Sequence, residues 1–426
     1  MTTKIIFTAV VAAAWSNFAA TIEVKPGSGT IAAAVEELRV LRAERPDEPV
    51  TIRLAGGVYE FAETIRFTAK DATAPVIVTA ADGAEVIVSG GRRLTGGRVD
   101  GGIVKFPVPE LKNGSWKIEQ LYINGRRALR PSVPENNYFY PEGKIDDPKD
   151  AEKAKADAAK GKPRNVKVAY DRFIAVPGQI PENWKDVEVI VPHGWVITRA
   201  RIKSYNPATR ETVIDGGRPG YMHDITTDRH YRLENVKSAF GKPGEWYADS
   251  EAGEIIYTPL KTEKADALDV VAPRLNTLFM VEGDAAANRK AGNITFEKIT
   301  FAHTAFVLPD GGCADHQASL DHAGAIVARF ADTVVVKNCD IRRTGGWGVK
   351  FEGGCAGCAV RDSRLFDLGA GGVEIGSPKR GSRKDDRGEY SERCAVERCF
   401  SECGGRVHPS AIGVAGWASR AASKLS

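Results

Sequence analysis

The sequence predicts an all-β chain: a right-handed parallel β-helix with an N-terminal capping helix and an inserted β-rich domain. Three observations carry this expectation. A coil motif recurs at 24-residue spacing near the C-terminus, 44 glycines punctuate short apolar alternations, and the rhythm lapses through one long central stretch. VVVKNCDIRRTGGWGVKFEGG from Val334, CAVRDSRLFDLGAGGVEIGSP from Cys358 and CAVERCFSECGGRVHPSAIGV from Cys394 share one order of strand, polar turn and glycine-flanked strand. Val336 to Val360 is one period of 24, Val360 to Val396 is 36, and NITFEKITFAHT from Asn293 precedes its successor by 40, so the longer steps are one period plus insertions of 12 and 16. Each coil of such a solenoid buries its inward side chains only by stacking on its neighbours, which confines chemistry to the outward faces.

Residues 1–20 read as a secretory signal peptide, with Lys4 ahead of an apolar run from Ile5 to Trp15 and small residues at Ser16, Ala19 and Ala20. A secreted or periplasmic location is therefore expected. That run is too short to span a bilayer, and no later stretch predicts a membrane span. Ile31, Val35, Leu38 and Leu41 follow at helical spacing, behind Ser28 and Thr30 as candidate N-caps and with Pro46 closing the stretch. Such a helix would cover the open end of the stack, where unpaired backbone and apolar cross-section are otherwise exposed. VTIRLAGGVYEF, TIRFTA, PVIVTAADG and EVIVSGG complete the first coils within residues 21–96.

Over residues 97–272 the period disappears, predicting the inserted domain, and coils resume over 273–426. Within the insertion GEWYADSEAGEIIYTP reads as a hairpin around Ala252 and Gly253. KIDDPKDAEKAKADAAKGKP from Lys144 has mixed charge signs and reads as a solvated helix or loop. The whole chain carries 59 basic and 55 acidic residues, a balance that argues against a nucleic-acid partner.

The ordered series of solenoid start, LYINGRRALRPSVP, GEWYADSEAGEIIYTP, NITFEKITFAHTAF, DLGAGGVEIG and GGRVHPSAIGV resembles the right-handed β-helix proteins of glycoside hydrolase family 141 and its relatives. The resemblance covers essentially the whole mature chain, inserted domain included. It implies hydrolysis of glycosidic bonds in plant cell-wall polysaccharide, with fucosidase and xylanase activities both represented, and a polysaccharide or oligosaccharide substrate. In that family further coils follow the HPSAIGV segment and bring an Asp before a Gly-Gly-aromatic strand and an Asp-Glu-Gly turn, taken as the catalytic carboxylates. Here AGWASRAASKLS follows Val414 without strand alternation. The expectation is a stack cut before its catalytic coils, with little or no glycosidase activity.

Stacking Gly348–Glu352 beside Gly372–Gly376 points Val349, Phe351, Val373 and Ile375 inward and Lys350, Glu352 and Glu374 outward. Strands ~4.8 Å apart then place the Cα atoms of Glu352 and Glu374 roughly 8 Å from each other, a spacing compatible with an inverting carboxylate pair. Lys350 lies directly beside Glu374, however. The expectation is a surface ion pair that keeps Glu374 ionised, because a lysine neighbour opposes the raised pKa of a general acid.

His303, His316, His322 and His408 are further candidates, with Asp310, Asp315 and Asp321 in the long loop from Thr304 to Ala323, whose residues read as solvated or turn-forming, with substrate contact at the rim of the binding face as the alternative. Trp347 offers either a sugar-stacking face or burial against the next coil. The charged run SPKRGSRKDDRGEYSER from Ser377 reads as a solvated loop, with a role over the groove as the alternative. No HExxH or calcium-loop spacing occurs, so no metal or cofactor is expected. All seven cysteines follow residue 312, and Cys358 and Cys394 share a coil position. Stacked core thiols explain them better than a zinc site from Cys355, Cys358, Cys399 and Cys403. Beside a hydrolase, a polysaccharide lyase would need a calcium site and a Lys or Arg base, and a nonenzymatic surface protein would need neither.

Overall fold

A computed structural model describes residues 20–27, 29–193, 197–216, 224–314, 319–376, 393–397 and 400–402. The stretch through residue 19 expected to be a signal peptide, His316, Asp315, His408, Cys399, Cys403 and the charged run from 377 to 392 therefore lie outside the described residues.

Three parallel sheets stack side by side. The first runs Ala20–Val24, Val50–Leu54, Val76–Ala80, Ala291–Glu297, Ala331–Lys337, Ala359–Arg361 and Ala395–Glu397. The second holds Gly57–Glu60, Val86–Ser89, Thr300–Ala302, Asp340–Arg342, Arg364–Phe366 and Phe400–Glu402. The third holds Ile65–Thr68, Phe279–Glu282, Gly324–Arg329, Trp347–Phe351 and Val373–Ile375. Val336 pairs with Val360 and Val360 with Val396, the register that the unequal sequence spacings require. Inward positions form one continuous core in which Phe279 packs between Phe67, Phe296 and Phe301.

From Asn293 onward the coils turn their corners by placing one residue in the left-handed region. Asn293, Thr333, Gly357 and Arg393 form one such column, Lys298, Asn338 and Asp362 a second, and His303, Arg343 and Asp367 a third. A non-glycine residue pays about 1–2 kcal/mol for this conformation. Its recurrence at corresponding positions shows that stacking, not residue preference, imposes it.

The helix Thr30–Glu44 buries Ile31, Val35 and Leu38 against the core, as its spacing predicts. Its start differs from the expectation: Gly29, at φ 75°, occupies the cap position without a side-chain bond, while the Thr30 hydroxyl donates back to the Gly27 carbonyl at 3.0 Å.

The insertion leaves the second coil between its second and third sheets. Gly91–Arg93 and Val270–Pro273 pair antiparallel at its base. The hairpin Trp246–Asp249 with Glu254–Tyr257 forms around the turn at Gly253, and the mixed-charge stretch folds into the helix Pro148–Ala159, capped by the Asp147 carboxylate accepting from the Asp150 amide. One coil later, the segment after His303 leaves from the same corner. Its strand Cys313–Ala314 adds antiparallel to Arg199 and Thr198 of the insertion. The loop therefore runs up to the inserted domain and back across the third sheet.

Thiols stack as expected. Cys339, Cys355 and Cys358 are buried and Cys394 half-buried, none in a disulfide. Burial pushes Cys339 up to about 12, and the neighbouring Cys355 thiol, with burial adding to it, does the same to Cys358. Among the described residues no cluster fit to hold a metal occurs.

Candidate functional site

On the third sheet Lys350 pairs in register with Glu374, and Val349 with Val373. Val349, Phe351 and Val373 belong to the core, so Lys350 and Glu374 point away from it, as alternation predicts. The surface ion pair does not hold. Lys350 is 3% exposed and Glu374 1%. The returning loop seals them: the Lys350 ammonium donates to the carbonyls of Leu320 and His322, each at 2.9 Å, and the Trp347 indole donates to the Ser319 carbonyl at 2.9 Å.

Lys350 Nζ lies 2.9 Å from Glu374 Oε2, though off the direction of a good hydrogen bond. Burial pushes the Glu374 carboxyl up to about 7, outweighing Lys350, with Glu352 and Asp321 adding to the rise. The expectation that the lysine keeps Glu374 at an ordinary carboxylate value is thus corrected. The lysine does oppose the shift, but removing the carboxylate from water costs more than one poorly aligned ammonium returns.

Glu352 points outward in the neighbouring column. Its carboxylate meets Arg329 at 2.6 Å, and Arg329 reaches Glu282 at 2.9 Å, forming a charged ladder across three strands. Lys350 Nζ is 3.9 Å from Glu352. Because Glu352 and Glu374 contact one ammonium, their nearest oxygens are no further apart than those two contacts laid end to end. That bound admits the ~5–5.5 Å of a retaining pair and only the lower edge of the ~6.5–9.5 Å inverting range.

Other sequence candidates separate from this centre. Trp347 is 2% exposed, and a Cβ at Gly371 would lie 2.1 Å from its ring. The indole is therefore buried against the next coil and offers no sugar-stacking face. The Asp310 carboxylate forms an exposed pair with Lys117 at 2.7 Å. His322 contributes its carbonyl to Lys350, and its ring lies 4.9 Å from Phe306.

His303 belongs to a different cluster, at the end of the second sheet. It is 8% exposed, its Nδ1 is 3.0 Å from the Ser89 hydroxyl, and its ring lies 5.2 Å from Tyr122. Burial, with Arg343, Arg342, Arg93 and Arg127 nearby, pushes it down to about 3, so the imidazole is neutral. Its ring is enclosed among Ser89, Tyr122 and these arginines rather than presented on an open groove. Sequence reasoning missed its companions: Arg343 and Asp367 occupy the same corner in the next two coils, at steps of 40 and 24, the repeat spacings themselves. From the insertion, Arg127 bonds the Asp367 carboxylate at 2.8 Å and the Thr344 carbonyl at 3.0 Å, clamping the Tyr122–Arg127 hairpin onto the coils.

The loop is anchored from above by buried charge. Arg201 donates to the Glu119 carboxylate at 2.7 Å and to the Leu308 carbonyl at 3.3 Å, Arg130 bridges Glu119 and Glu188, and Gln120 accepts from the Phe306 amide at 2.9 Å. Burial, reinforced by Glu188, pushes Glu119 up to about 7.

No protein-family model and no curated protein sequence matches the chain. Among solved structures it is similar to one described as a glycoside hydrolase, with TM-score 0.72 and 21% identity over 91% of this chain and 74% of that one. A structure of XylC in complex with xylose aligns at TM-score 0.40 and 11% identity over 89% of this chain and 54% of that one, too loosely to support an argument. What the chain shares with the first structure is the fold.

Proposed function

We propose that the protein acts on a polysaccharide as a glycoside hydrolase, with Glu374 as proton donor and Glu352 as the second carboxylate. The observation that carries this reading is Glu374, an outward carboxyl pushed up to about 7 beside a second carboxylate on the same ammonium. A carboxyl with that value is about half protonated at neutral pH and can donate to a glycosidic oxygen, the condition a general acid must meet. Glu352, held by Arg329, supplies the fixed negative charge that an oxocarbenium-like transition state requires. Likeness of fold to a glycoside hydrolase supports the reaction class. Plant cell-wall polysaccharide is the substrate class we infer from the sequence resemblance.

The test is turnover of xylan, rhamnogalacturonan and synthetic fucosides by the purified chain, beside Glu374→Gln and Glu352→Gln. Glu374→Gln should lower kcat at least 100-fold with the fold intact. Turnover unaffected by both substitutions would remove these residues from the chemistry.

One observation favours a second reading. The three bonds from Lys350 and Trp347 to Ser319, Leu320 and His322 close the loop over Glu374, so substrate access requires that segment to lift. If no substrate turns over, and the substitutions change only stability, the Lys350–Glu374 pair is a structural latch and the protein is a nonenzymatic β-helix.

A further inference from the structure

The junction of the inserted hairpin with the second sheet holds more positive charge than its own carboxylates neutralise. Arg127 is paired with Asp367, and Arg93 with Asp269 at 2.7 Å. Arg342 and Arg343 remain. Both are half-buried, and among the described residues neither guanidinium makes a hydrogen bond or ion pair; the Arg342 guanidinium lies 6.0 Å from the centre of the Phe366 ring. The two guanidiniums also repel one another: burial and the Arg342 charge both lower Arg343. Asp367 and Asp269 lie within electrostatic reach of Arg343 without bonding it, and adjacent half-buried cations with no directly bonded anion are unfavourable unless one completes them.

A second observation is independent of the charges. Tyr122 is 1% exposed, and its hydroxyl is a buried group with no hydrogen-bond partner, in the electrostatic reach of Arg127, Asp367 and Arg343. Arg342 Nε is likewise buried without an acceptor. Buried orphan donors are rare in native proteins and call for a ligand or water. The turn at Asn124 and Gly125 keeps the space tight: at Gly125, φ 75°, an added Cβ would lie 2.7 Å from Arg343 Nη2.

We propose that this junction, lined by Arg342, Arg343 and Tyr122, is a carboxylate site that takes a uronic-acid unit of an acidic polysaccharide. A carboxylate offers about four acceptor positions on two oxygens, enough for one guanidinium fork, a single N–H from the other guanidinium and the tyrosine hydroxyl. One monoanion leaves the neighbouring Arg127–Asp367 clamp undisturbed. The neutral His303 behind Tyr122 adds no competing charge. The inference rests on the glycan-acting reading above and narrows it to an acidic chain, with recognition on the second sheet and the acidic pair on the third.

The test is calorimetric titration of the full chain with trigalacturonate, xylotriose and inorganic sulfate, repeated with Arg343→Gln, Arg342→Gln and Tyr122→Phe. Trigalacturonate should bind at least tenfold more tightly than xylotriose, and each arginine substitution should remove that preference while leaving xylotriose binding unchanged. Tyr122→Phe, which keeps the packing, should weaken trigalacturonate about three- to tenfold, and it stands in should an arginine variant fail to fold. Three results overturn the site: equal affinity for both sugars, trigalacturonate binding that survives all substitutions, or sulfate binding as tightly as the uronate. If neither sugar binds, the glycan-acting reading itself falls; if neutral glycans are bound or cleaved without a uronate preference, only this inference falls.

Discussion

Two clusters built by the same coils, one on each side of a single corner, have been driven in opposite electrostatic directions. On the third sheet Glu374 is pushed up to about 7 beneath the returning loop, in an acidic pair sharing one lysine. On the second sheet His303 is pushed down to about 3 beneath the inserted hairpin, among arginines. Burial disfavours the charged form in both places. The difference lies in what covers each sheet. Loop carbonyls satisfy the Lys350 ammonium and leave the carboxyl short of donors, whereas the hairpin brings Arg127 to a corner already holding Arg342 and Arg343. A solenoid thus supplies equivalent positions, and the segments laid over it make them unlike.

The largest expected effect comes from breaking the covered pair. Lys350→Met strands Glu374 and two carbonyls, and should cost about 3–5 kcal/mol at pH 8, measured by urea unfolding. Lys350→Met with Glu374→Leu should recover most of that loss, because no buried charge remains. A cost below about 1 kcal/mol for the single variant would mean that the loop does not seal the pair.

Arg127→Ala should come next, at roughly 2–3 kcal/mol, since it leaves the Asp367 carboxyl and the Thr344 carbonyl without their donor. Hydrogen exchange should rise at the Tyr122–Arg127 hairpin and stay unchanged in the loop over Glu374. Equal loosening of both would show that the two clusters are coupled through the corner.

The pH dependence separates the clusters by sign. Glu374 titrates in the native state near 7 against an ordinary 4.5, so the native state holds its proton more tightly. The stability it contributes is complete below pH 4.5 and is lost as pH rises through about 7, an effect of order 1–3 kcal/mol. Glu374→Gln should flatten the stability curve in that window. His303 acts oppositely: its native value, near 3 against an ordinary 6.5, costs stability as pH falls below 6.5. His303→Asn should lessen the loss in acid. Curves of wild type and both variants that superimpose would disprove the contrast.

Tyr122→Phe has the smallest expected effect on stability, a gain of up to about 1 kcal/mol, because it deletes a buried hydroxyl with no partner. The same change should weaken uronate binding, so stability and recognition would move apart at one atom. A stability loss above about 1 kcal/mol would show that the hydroxyl has a partner in the native state.

The repeat spacings of 24, 36 and 40 residues sufficed for the coils, because strands that share one core must keep corresponding side chains in register. The same alternation determined that Lys350 and Glu374 face outward on adjacent strands, and the helical spacing from Ile31 to Leu38 determined the end cap. The spacings also carried the His303, Arg343 and Asp367 column, which becomes visible once the corner residues are aligned as the strands are. What covers each outward position was decided by tertiary structure alone. The loop over Glu374 is held by a two-residue strand on the insertion, and the hairpin over His303 by Arg127 bonding a coil 240 residues away. Such contacts join segments that have no periodic relation to each other. Desolvation, which set both pKa shifts, depends on everything packed around a group, so no local spacing encodes it.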